Sequence, residues 1–316
     1  MAIHSSIRIV LFLPIFVLRP LALIGAPFGE KDKEIEATWE MYLDGDWKGL
    51  CNAIDDETAG MPSRQLALVW LGRLGSVNRE ISQTVLQTAQ DPDIALRTFA
   101  IRTAGELGLR EARDTLVASL SEQLSSASAA LATMGETSAT SPLYRIYRES
   151  EDWPSRAHIA AALWRLGERD AELWETLSSR KDSPNSGDRQ WSAVVFGLSG
   201  DRRAMSVLQE YATRDKDLGT RMQALQELVR NWPLDSFEAL TACMADEQMR
   251  TVAVDQLGVF LEKAIVPQLE KGLTDRNESV RMKSEQVCDV IRRGPHFRRL
   301  HRDSNVDVSQ SELSAE

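Results

Sequence analysis

The chain has 316 residues, of which 43% are hydrophobic and 27% are charged, a composition typical of a folded protein. Its formal net charge of -10 argues against a general nucleic-acid binder, because such proteins bind phosphates through an excess of Lys and Arg. Three cysteines, Cys51, Cys243 and Cys288, are too few and too far apart for a disulfide framework, and we interpret them as buried thiols.

Residues 1–29 differ from the rest of the chain and predict a signal peptide or an N-terminal membrane anchor. Residues 7–28 contain Arg8, then an apolar run, and no acidic residue, which is the order found in secretory signals. Arg19 interrupts the run, so three interpretations stay open: a cleaved signal, an uncleaved anchor that contacts the membrane through residues 7–28, and a mis-assigned start. The first two predict an exported, periplasmic or membrane-anchored protein, and the third a cytoplasmic one.

Residues 30–61 are predicted to form an N-terminal helical cap. Two short amphipathic helices are expected on either side of Asp44-Gly45-Asp46. A helical array needs a cap of this kind, because its terminal repeat would otherwise expose apolar surface. The two aspartates could also suggest calcium binding, but the other ligand positions of a calcium loop are missing, so a plain turn is the preferred interpretation.

A repeated pattern runs through residues 62–302: an arginine is followed eleven residues later by a glycine. Eleven residues make three helical turns, and small or apolar residues at the third and seventh positions after the arginine give each helix one buried face. The glycine is predicted to end the helix, because it adopts the left-handed conformation without strain. The arginine–glycine pairs are Arg64 and Gly75, Arg97 and Gly108, Arg156 and Gly167, and Arg189 and Gly200; Leu124 replaces the arginine before Gly135, Arg221 and Arg250 lack the glycine, and Arg281 begins a truncated copy.

A second, shorter helix is predicted after each turn, as at residues 111–120, 171–177, 204–212 and 266–273. Pro142 and Pro267 fit the first turn of such helices, where a missing backbone N–H is tolerated. Residues 178–188 are predicted to form a long polar loop, and residues 303–316 a disordered tail. In three units an aspartate stands six residues before the arginine, which favours a turn or a helix N-cap there.

The segment IVPQLEKGLTDRNESVRMKSEQV, residues 265–287, resembles a HEAT repeat, and residues 92–120 resemble the shorter HEAT-like type found in bilin lyases. The resemblance implies an all-α, right-handed α-solenoid of about seven to eight HEAT-like helical hairpins. It says little about function, because such arrays serve many roles. It also implies that the aspartate and arginine positions bond adjacent repeats and are structural: Asp91, Arg97, Asp215, Arg221, Asp275 and Arg281.

The sequence contains no recognisable catalytic or metal-binding constellation. His158 stands alone on an apolar helix, and His296 and His301 are five residues apart, a poor spacing for one helix face. The short motifs of zinc proteases, P-loops and dinucleotide-binding folds are absent. No catalytic residue, no metal and no cofactor are therefore expected, and the chain is expected not to be an enzyme.

The leading hypothesis is a non-enzymatic scaffold that binds an unidentified protein through the solenoid surface. By the resemblance, the second helices should line the concave face, and their Tyr, Trp and Arg residues are the types enriched at binding hot spots. One alternative is a bilin-lyase-like enzyme that handles a tetrapyrrole; another is a binder of an anionic partner through the basic residues 291–302. The candidate partner-binding residues are Tyr144, Arg145, Tyr147, Arg148, Trp174, Arg202, Arg203 and Tyr211; the candidate anion-binding residues are Arg292, Arg293, Arg298, Arg299 and Arg302.

Overall fold

A computed structural model describes residues 30–285 apart from residues 233, 258–265, 279 and 283, and within them it contains helices and no strand. The expected all-α class is thereby confirmed. The first helices are α1 (Glu30–Asp44), α2 (Trp47–Asp55), α3 (Met61–Leu74), α4 (Arg79–Thr88), α5 (Ile94–Glu106), α6 (Arg113–Ala118), α7 (Leu124–Thr133) and α8 (Thr140–Glu149). They are followed by α9 (Trp153–Arg165), α10 (Ala171–Ser178), α11 (Ser186–Ser199), α12 (Arg202–Arg214), α13 (Leu218–Asn231), α14 (Phe237–Ala245), α15 (Arg250–Leu257) and α16 (Val266–Leu273).

Asp and Asn side chains begin most of the helices up to α13 by accepting a hydrogen bond from a backbone amide of the first turn. One such cap corrects the predicted loop over residues 178–188. Asn185 Oδ1 accepts a hydrogen bond from the Gly187 amide at 2.8 Å, so α11 begins at Ser186 and the loop is shorter than expected.

Glycines end the arginine-bearing helices, as predicted. The backbone φ angle is positive at each turn glycine, and at Gly75 it is 65°. A Cβ atom is strained in this conformation, whereas glycine adopts it freely. The same left-handed conformation occurs at Gly108, Gly135, Gly167 and Gly200.

The helices form two layers. We call α1, α3, α5, α7, α9, α11, α13 and α15 the first layer, and the alternate helices the second layer. Each first-layer helix packs against the next one along the array. Second-layer helices pack mainly against the first layer, and they approach one another closely only where α2 meets α4 and α12 meets α14. This is the expected HEAT-like solenoid of helical hairpins, and its tighter layer must lie on the inside of the curve.

Additional glycines explain how closely the first-layer helices approach. A Cβ atom built at Gly105 of α5 would lie 2.6 Å from the Cα of Ala130 in α7. At Gly197 of α11 it would lie 2.3 Å from Oε2 of Glu227 in α13. Real Cβ atoms do not make contacts this short, so any side chain at these positions would push neighbouring helices apart. Both glycines stand eight residues after a repeat arginine.

Ion pairs link successive hairpins along the array. Arg189 of α11 donates two hydrogen bonds, of 2.7 and 2.8 Å, to the carboxylate of Asp215, which lies just before α13. Arg221 pairs in the same way with Asp246 at 2.9 Å. Arg250 pairs with Asp275. Each arginine thus reaches the loop before the next first-layer helix and fixes the spacing between hairpins.

The aspartates therefore pair with the arginine of the preceding hairpin rather than with the arginine six residues later. Asp91, for example, lies 3.9 Å from Arg64, whereas Arg97 hydrogen-bonds the backbone carbonyl of Asp91 at 3.1 Å. The guanidinium of Arg97 pairs instead with Glu122 at 3.0 Å. Arg281 likewise donates to the carbonyl of Asp275 at 2.8 Å.

Candidate functional site

One face of the first layer is not covered by any of the described helices. Positions five and nine after each repeat arginine lie one turn apart on the same side of a helix. Most of them are partly or fully exposed, because they point away from the second layer. We call this surface the groove, and its residues are Val69, Arg73, Arg102, Glu106, Ala129, Thr133, Arg165, Val194, Leu198, Gln226 and Arg230.

Arginines from distant parts of the sequence meet in the groove. Burial first, and then the positive charge of Arg230, hold the pKa of the Arg102 guanidinium below its ordinary value. Arg102 belongs to α5 and Arg230 to α13, so the charges act across a curled array rather than between neighbouring helices. The positive charge of Arg73, on α3, lowers the pKa of Arg102 further.

This convergence corrects the expectation that the second helices line the concave face. The first layer is tightly packed, and its residues Arg102 and Arg230 face each other closely enough to interact electrostatically. Both observations place the first layer on the inside of the curve. The second-layer helices lie farther apart and therefore form the outer side.

Glu227 holds Arg230 within the groove. The Arg230 guanidinium lies 3.3 Å from Oε1 of Glu227, and this negative charge raises the pKa of Arg230. Glu227 is buried, and the side-chain amide of Gln223 donates a hydrogen bond of 2.9 Å to it. The side chain of Arg230 nevertheless stays 52% exposed, so it keeps N–H donors for a ligand.

Arg165 is fixed beside this pair. Its Nη1 donates to the backbone carbonyl of Leu198 and to the side-chain oxygen of Asn231, both at 3.2 Å. Burial lowers the pKa of Arg165, and the negative charge of Glu227 partly opposes that change. Arg165 therefore connects α9, α11 and α13 while it contributes positive charge to the groove.

Unlike Arg230, Arg102 has no anionic partner at bonding distance among the described residues. Within the part of the chain that the structure describes, it makes no hydrogen bond and no ion pair; its Cζ lies 5.9 Å from the ring centre of Phe99. Arg73 similarly lies over the ring of Trp70, at 5.1 Å. A guanidinium has five N–H donors in a planar fork that fits a carboxylate or phosphate, and those donors are free here.

Apolar residues accompany the arginines in the groove: Val69, Val194 and Leu198 belong to it and are partly exposed. Ile94 and Leu218, the first residues of α5 and α13, are 65% and 39% exposed, but they lie about 12 and about 18 Å along their helices from Arg102 and Arg230. The groove thus offers both cationic and apolar contacts.

Among the sequence-predicted candidates, Trp174 and Arg203 are brought together. The Arg203 guanidinium lies 3.8 Å from the centre of the Trp174 ring and 5.0 Å from that of Trp164. The indole N–H of Trp164 and the guanidinium of Arg203 both donate to Asp201, at 2.8 and 2.9 Å. These contacts join α9, α10 and α12, and they use the polar groups of the cluster internally.

The predicted tyrosines are also occupied within the protein. Tyr147 is buried, and its hydroxyl lies 2.8 Å from that of Thr176. Tyr211 is buried and donates to the carbonyl of Lys181. Tyr144 donates to Glu168 at 3.3 Å. The remaining candidates, Arg145, Arg148 and Arg202, are exposed on the second layer. The Cζ of Arg148 lies 5.8 Å from the centre of the Tyr144 ring, and Arg202 pairs with Asp235 at 3.6 Å.

Sequence reasoning missed the groove, although a signal for it exists. Counting from each repeat arginine, another arginine stands five residues later in α5, as Arg102, and nine residues later in α3, α9 and α13. These two positions share one helix face. The spacing that identifies the buried face of each helix therefore also identifies the opposite, exposed face, which carries Arg73, Arg165 and Arg230.

Three predicted segments lie outside the described residues: the leader at residues 1–29, the basic residues Arg292 to Arg302, and the tail at residues 303–316. None of the described helices has the length and hydrophobicity that crossing a membrane requires. Within the same residues, no three His, Cys, Asp or Glu side chains come together at a metal-binding distance. His158 is buried, and one of its ring nitrogens lies 2.9 Å from the carbonyl oxygen of Ser125.

Comparison with known proteins supports the fold and does not define a family. No model of a protein family matches the chain. One hundred residues are 33% identical to a putative transposase of Sinorhizobium fredii, y4uI; they make up 31% of this chain and 18% of that protein, so the chain spans less than a fifth of its length.

Solved structures give the fold. The complex of CpcE and CpcF of the phycocyanin lyase from Nostoc matches with a TM-score of 0.50 and 18% identity, over 74% of this chain and 93% of that one. Human deoxyhypusine hydroxylase matches with a TM-score of 0.40 and 17% identity, over 80% of this chain and 98% of that one. At these identities the likeness concerns the arrangement of helices alone.

The match to the phycocyanin lyase overturns the expectation that the chain is not an enzyme. That expectation depended on the absence of a catalytic motif from the sequence. The fold match to a phycocyanin lyase shows the same helical array in an enzyme, so neither the fold nor the missing motif excludes catalysis.

Proposed function

We propose that this chain is a HEAT-like repeat protein that binds a protein partner in the groove of its first layer. The observation that carries the proposal is Arg102, a partly buried guanidinium that has no anionic partner at bonding distance among the described residues. The positive charges of Arg230 and Arg73 act against its charged form, and the negative charges of Glu106 and Glu227 oppose them. Desolvating a cation beside like charges costs free energy, and a protein can retain such an arrangement when a ligand supplies the missing charge.

The composition of the groove supports a protein as the ligand. Arginine is one of the residues that contribute most to protein–protein binding, and apolar anchors complement it. Here the partly exposed Val69, Val194 and Leu198 belong to the groove together with the arginines. The aromatic residues Trp174 and Tyr147 of the second layer instead contact other helices of this chain.

Site-specific photo-crosslinking in the source cells tests the proposal. Benzoylphenylalanine is introduced at Thr133 or Gln226 in the groove, and at the exposed Glu175 of α10 as the control on the second layer. The expected result is one discrete crosslinked protein at both groove positions and none at Glu175. Crosslinking at Glu175 alone, or equally at all three positions, would contradict a partner site in the groove.

Two sequence-based expectations remain proposals that depend on segments outside the described residues. Residues 7–28 are proposed to export or anchor the protein, which fractionation together with mass spectrometry of its N-terminus tests. The basic residues 291–302 are proposed as the alternative site, for an anionic partner. Removing them should leave groove crosslinking unchanged if the groove is the partner site.

The tetrapyrrole alternative is supported by the fold-level likeness to the phycocyanin lyase alone. It predicts a shift of the visible absorbance when a bilin is mixed with the protein. An unchanged spectrum at saturating bilin would remove this alternative.

A further inference from the structure

The geometry points to an acidic peptide segment as the ligand of the groove: we propose that carboxylates of an extended Asp- and Glu-rich stretch of the partner bind between Arg102 and Arg230. The inference rests on the proposed function and adds the chemistry of the ligand. Three further observations support it: the local charge, the separation of the arginines along the sequence, and the neighbouring apolar residues.

The groove is cationic on a protein that is acidic as a whole. Four arginines, Arg73, Arg102, Arg165 and Arg230, occupy it together with Glu106 and the buried Glu227, while the chain has a net charge of -10. The positive patch attracts negatively charged segments, and the acidic remainder of the protein surface repels them.

The arginines are arranged to hold more than one carboxylate. Arg73, Arg102 and Arg230 come from α3, α5 and α13, so they approach the groove from opposite ends of the array. Arg230 is already held by Glu227, and Arg165 by Leu198 and Asn231, which keeps these side chains in place before a ligand arrives. Guanidinium groups that are held in this way lose less freedom on binding.

The two glutamates argue for a peptide rather than a nucleic acid. The negative charges of Glu106 and Glu227 act on Arg102 and Arg230 within the same groove. A polynucleotide carries a phosphate at every residue and would be repelled by both glutamates and by the net negative charge of the protein. A peptide can instead place its carboxylates at the arginines and other side chains beside the glutamates.

The apolar residues of the groove indicate that the acidic segment also contains apolar residues. Val69, Val194 and Leu198 belong to the groove and are partly exposed. Burying them against a partner would stabilise the complex in proportion to the apolar area removed from water. We therefore expect acidic residues interspersed with leucine or valine.

Fluorescence anisotropy with a labelled peptide of alternating glutamate and leucine tests the inference. The comparison peptide has glutamine in place of every glutamate. The full-length protein is expected to bind the glutamate peptide at least about tenfold more tightly, a difference of about 1.4 kcal/mol. Equal affinity for the two peptides would overturn the inference, because the groove would then not recognise carboxylates.

Charge reversal assigns the binding to the groove. The double variant Arg102→Glu/Arg230→Glu should lose at least about tenfold in affinity for the glutamate peptide and should gain affinity for a lysine–leucine peptide. Arg145→Glu/Arg202→Glu is the matched control, since it makes the same change in net charge at exposed second-layer residues. If the control variant weakens binding as much as the groove variant does, the assignment is wrong.

A single-stranded oligonucleotide of the same charge is titrated in parallel. Binding as tight as that of the glutamate peptide, lost in the groove variant, would overturn the peptide assignment in favour of nucleic acid. Circular dichroism and thermal unfolding of both double variants establish that each is folded before its affinity is compared.

The result also separates this inference from the proposed function. If groove crosslinking to a partner persists while the glutamate and glutamine peptides bind equally, the groove binds a protein but not through carboxylates. If groove crosslinking fails and the glutamate peptide still discriminates, the groove binds acidic peptides but is not the main partner site in the cell.

Discussion

Arg189 and Asp215 form a two-point ion pair that spans the junction between consecutive hairpins. Their N–O distances are 2.7 and 2.8 Å, and their side chains are 15% and 6% exposed. Asp215 also accepts a hydrogen bond of 2.8 Å from the Asp217 amide. Burial by itself would raise the pKa of Asp215, but these hydrogen bonds and the charge of Arg189 hold it below its ordinary value.

Asp215→Asn should therefore destabilise the array by about 2 kcal/mol, because it leaves a partly buried guanidinium without its counter-charge. A double-mutant cycle with Arg189→Met should give a coupling free energy of about 1 to 3 kcal/mol. Urea unfolding followed by circular dichroism measures both values. Asp114→Asn, at a fully exposed pair, is the control and should leave unfolding unchanged. Additive effects of the two substitutions would show that the pair does not stabilise the junction.

Gly105→Ala should destabilise the protein by about 1 to 3 kcal/mol, since the new methyl group would overlap the Cα of Ala130 on the adjacent helix. A backbone atom cannot move aside as a flexible side chain does. Gly187→Ala, in the exposed first turn of α11, should cost less, because its new Cβ atom would lie 3.2 Å from the side-chain oxygen of Asn185 rather than against a neighbouring helix backbone, and alanine favours helix. Thermal unfolding compares the two variants. Equal stability of both would mean that α5 and α7 are not in close contact.

His158 makes stability depend on pH in the mildly acidic range. Burial lowers its pKa from 6.5 to about 4, whereas its hydrogen bond with the Ser125 carbonyl opposes the shift. The unfolded chain then binds a proton that the folded chain does not, so stability is lost as pH falls from about 6.5 to about 4. The expected slope is about 1.4 kcal/mol per pH unit. Urea unfolding of His158→Met at the same pH values should show a smaller slope, and an unchanged slope would contradict a buried, neutral histidine.

The carboxylate of Asp201 makes the stability of the fold depend on pH below about 4. The hydrogen bond from Arg203, followed by those from the Arg203 amide and from Trp164, lowers its pKa from 3.8 to about 2. A depressed carboxylate pKa stabilises the folded state above about pH 4, and that contribution is lost as pH falls toward 2. Asp201→Asn should unfold more readily at pH 7 and should lose less additional stability between pH 4 and pH 3. Glu151→Gln, at an exposed loop residue, should follow the wild-type pH profile throughout.

The fold could be predicted from the sequence because its determinants are periodic and local. The spacing from Arg64 to Gly75 sets helix length and helix end, and the structure places the left-handed turn at that glycine. The ion pairs between hairpins were harder to predict from the sequence. Asp215 stands six residues before Arg221, yet it pairs with Arg189 of the preceding hairpin. Which arginine an aspartate reaches depends on how hairpins stack, and sequence spacing alone does not give that.

The groove was not predicted because it depends on the curvature of the whole array. The repeat spacing predicts which helix face carries Arg102 and Arg230. It does not predict that Arg102 on α5 and Arg230 on α13 come close enough to interact. Curvature follows from Gly105 and Gly197, which allow one layer to pack more closely than the other. The resemblance predicted that the second helices line the concave side, and Trp174 and Arg203 were therefore predicted to bind a partner. In the structure they contact each other on the outer layer.

The most direct test of the groove is a chemical crosslink across it. Glu106→Cys and Arg230→Cys are combined in a variant that lacks Cys51, Cys243 and Cys288, and the protein is treated with a short bis-maleimide. The account predicts a rapid intramolecular crosslink between α5 and α13, because Glu106 lies close enough to Arg230 to affect its pKa. The control pair Glu106→Cys/Arg145→Cys, which places the second thiol on the outer layer, should not react. If the groove pair crosslinks no faster than the control pair, then α5 and α13 do not approach each other and the groove does not exist as described.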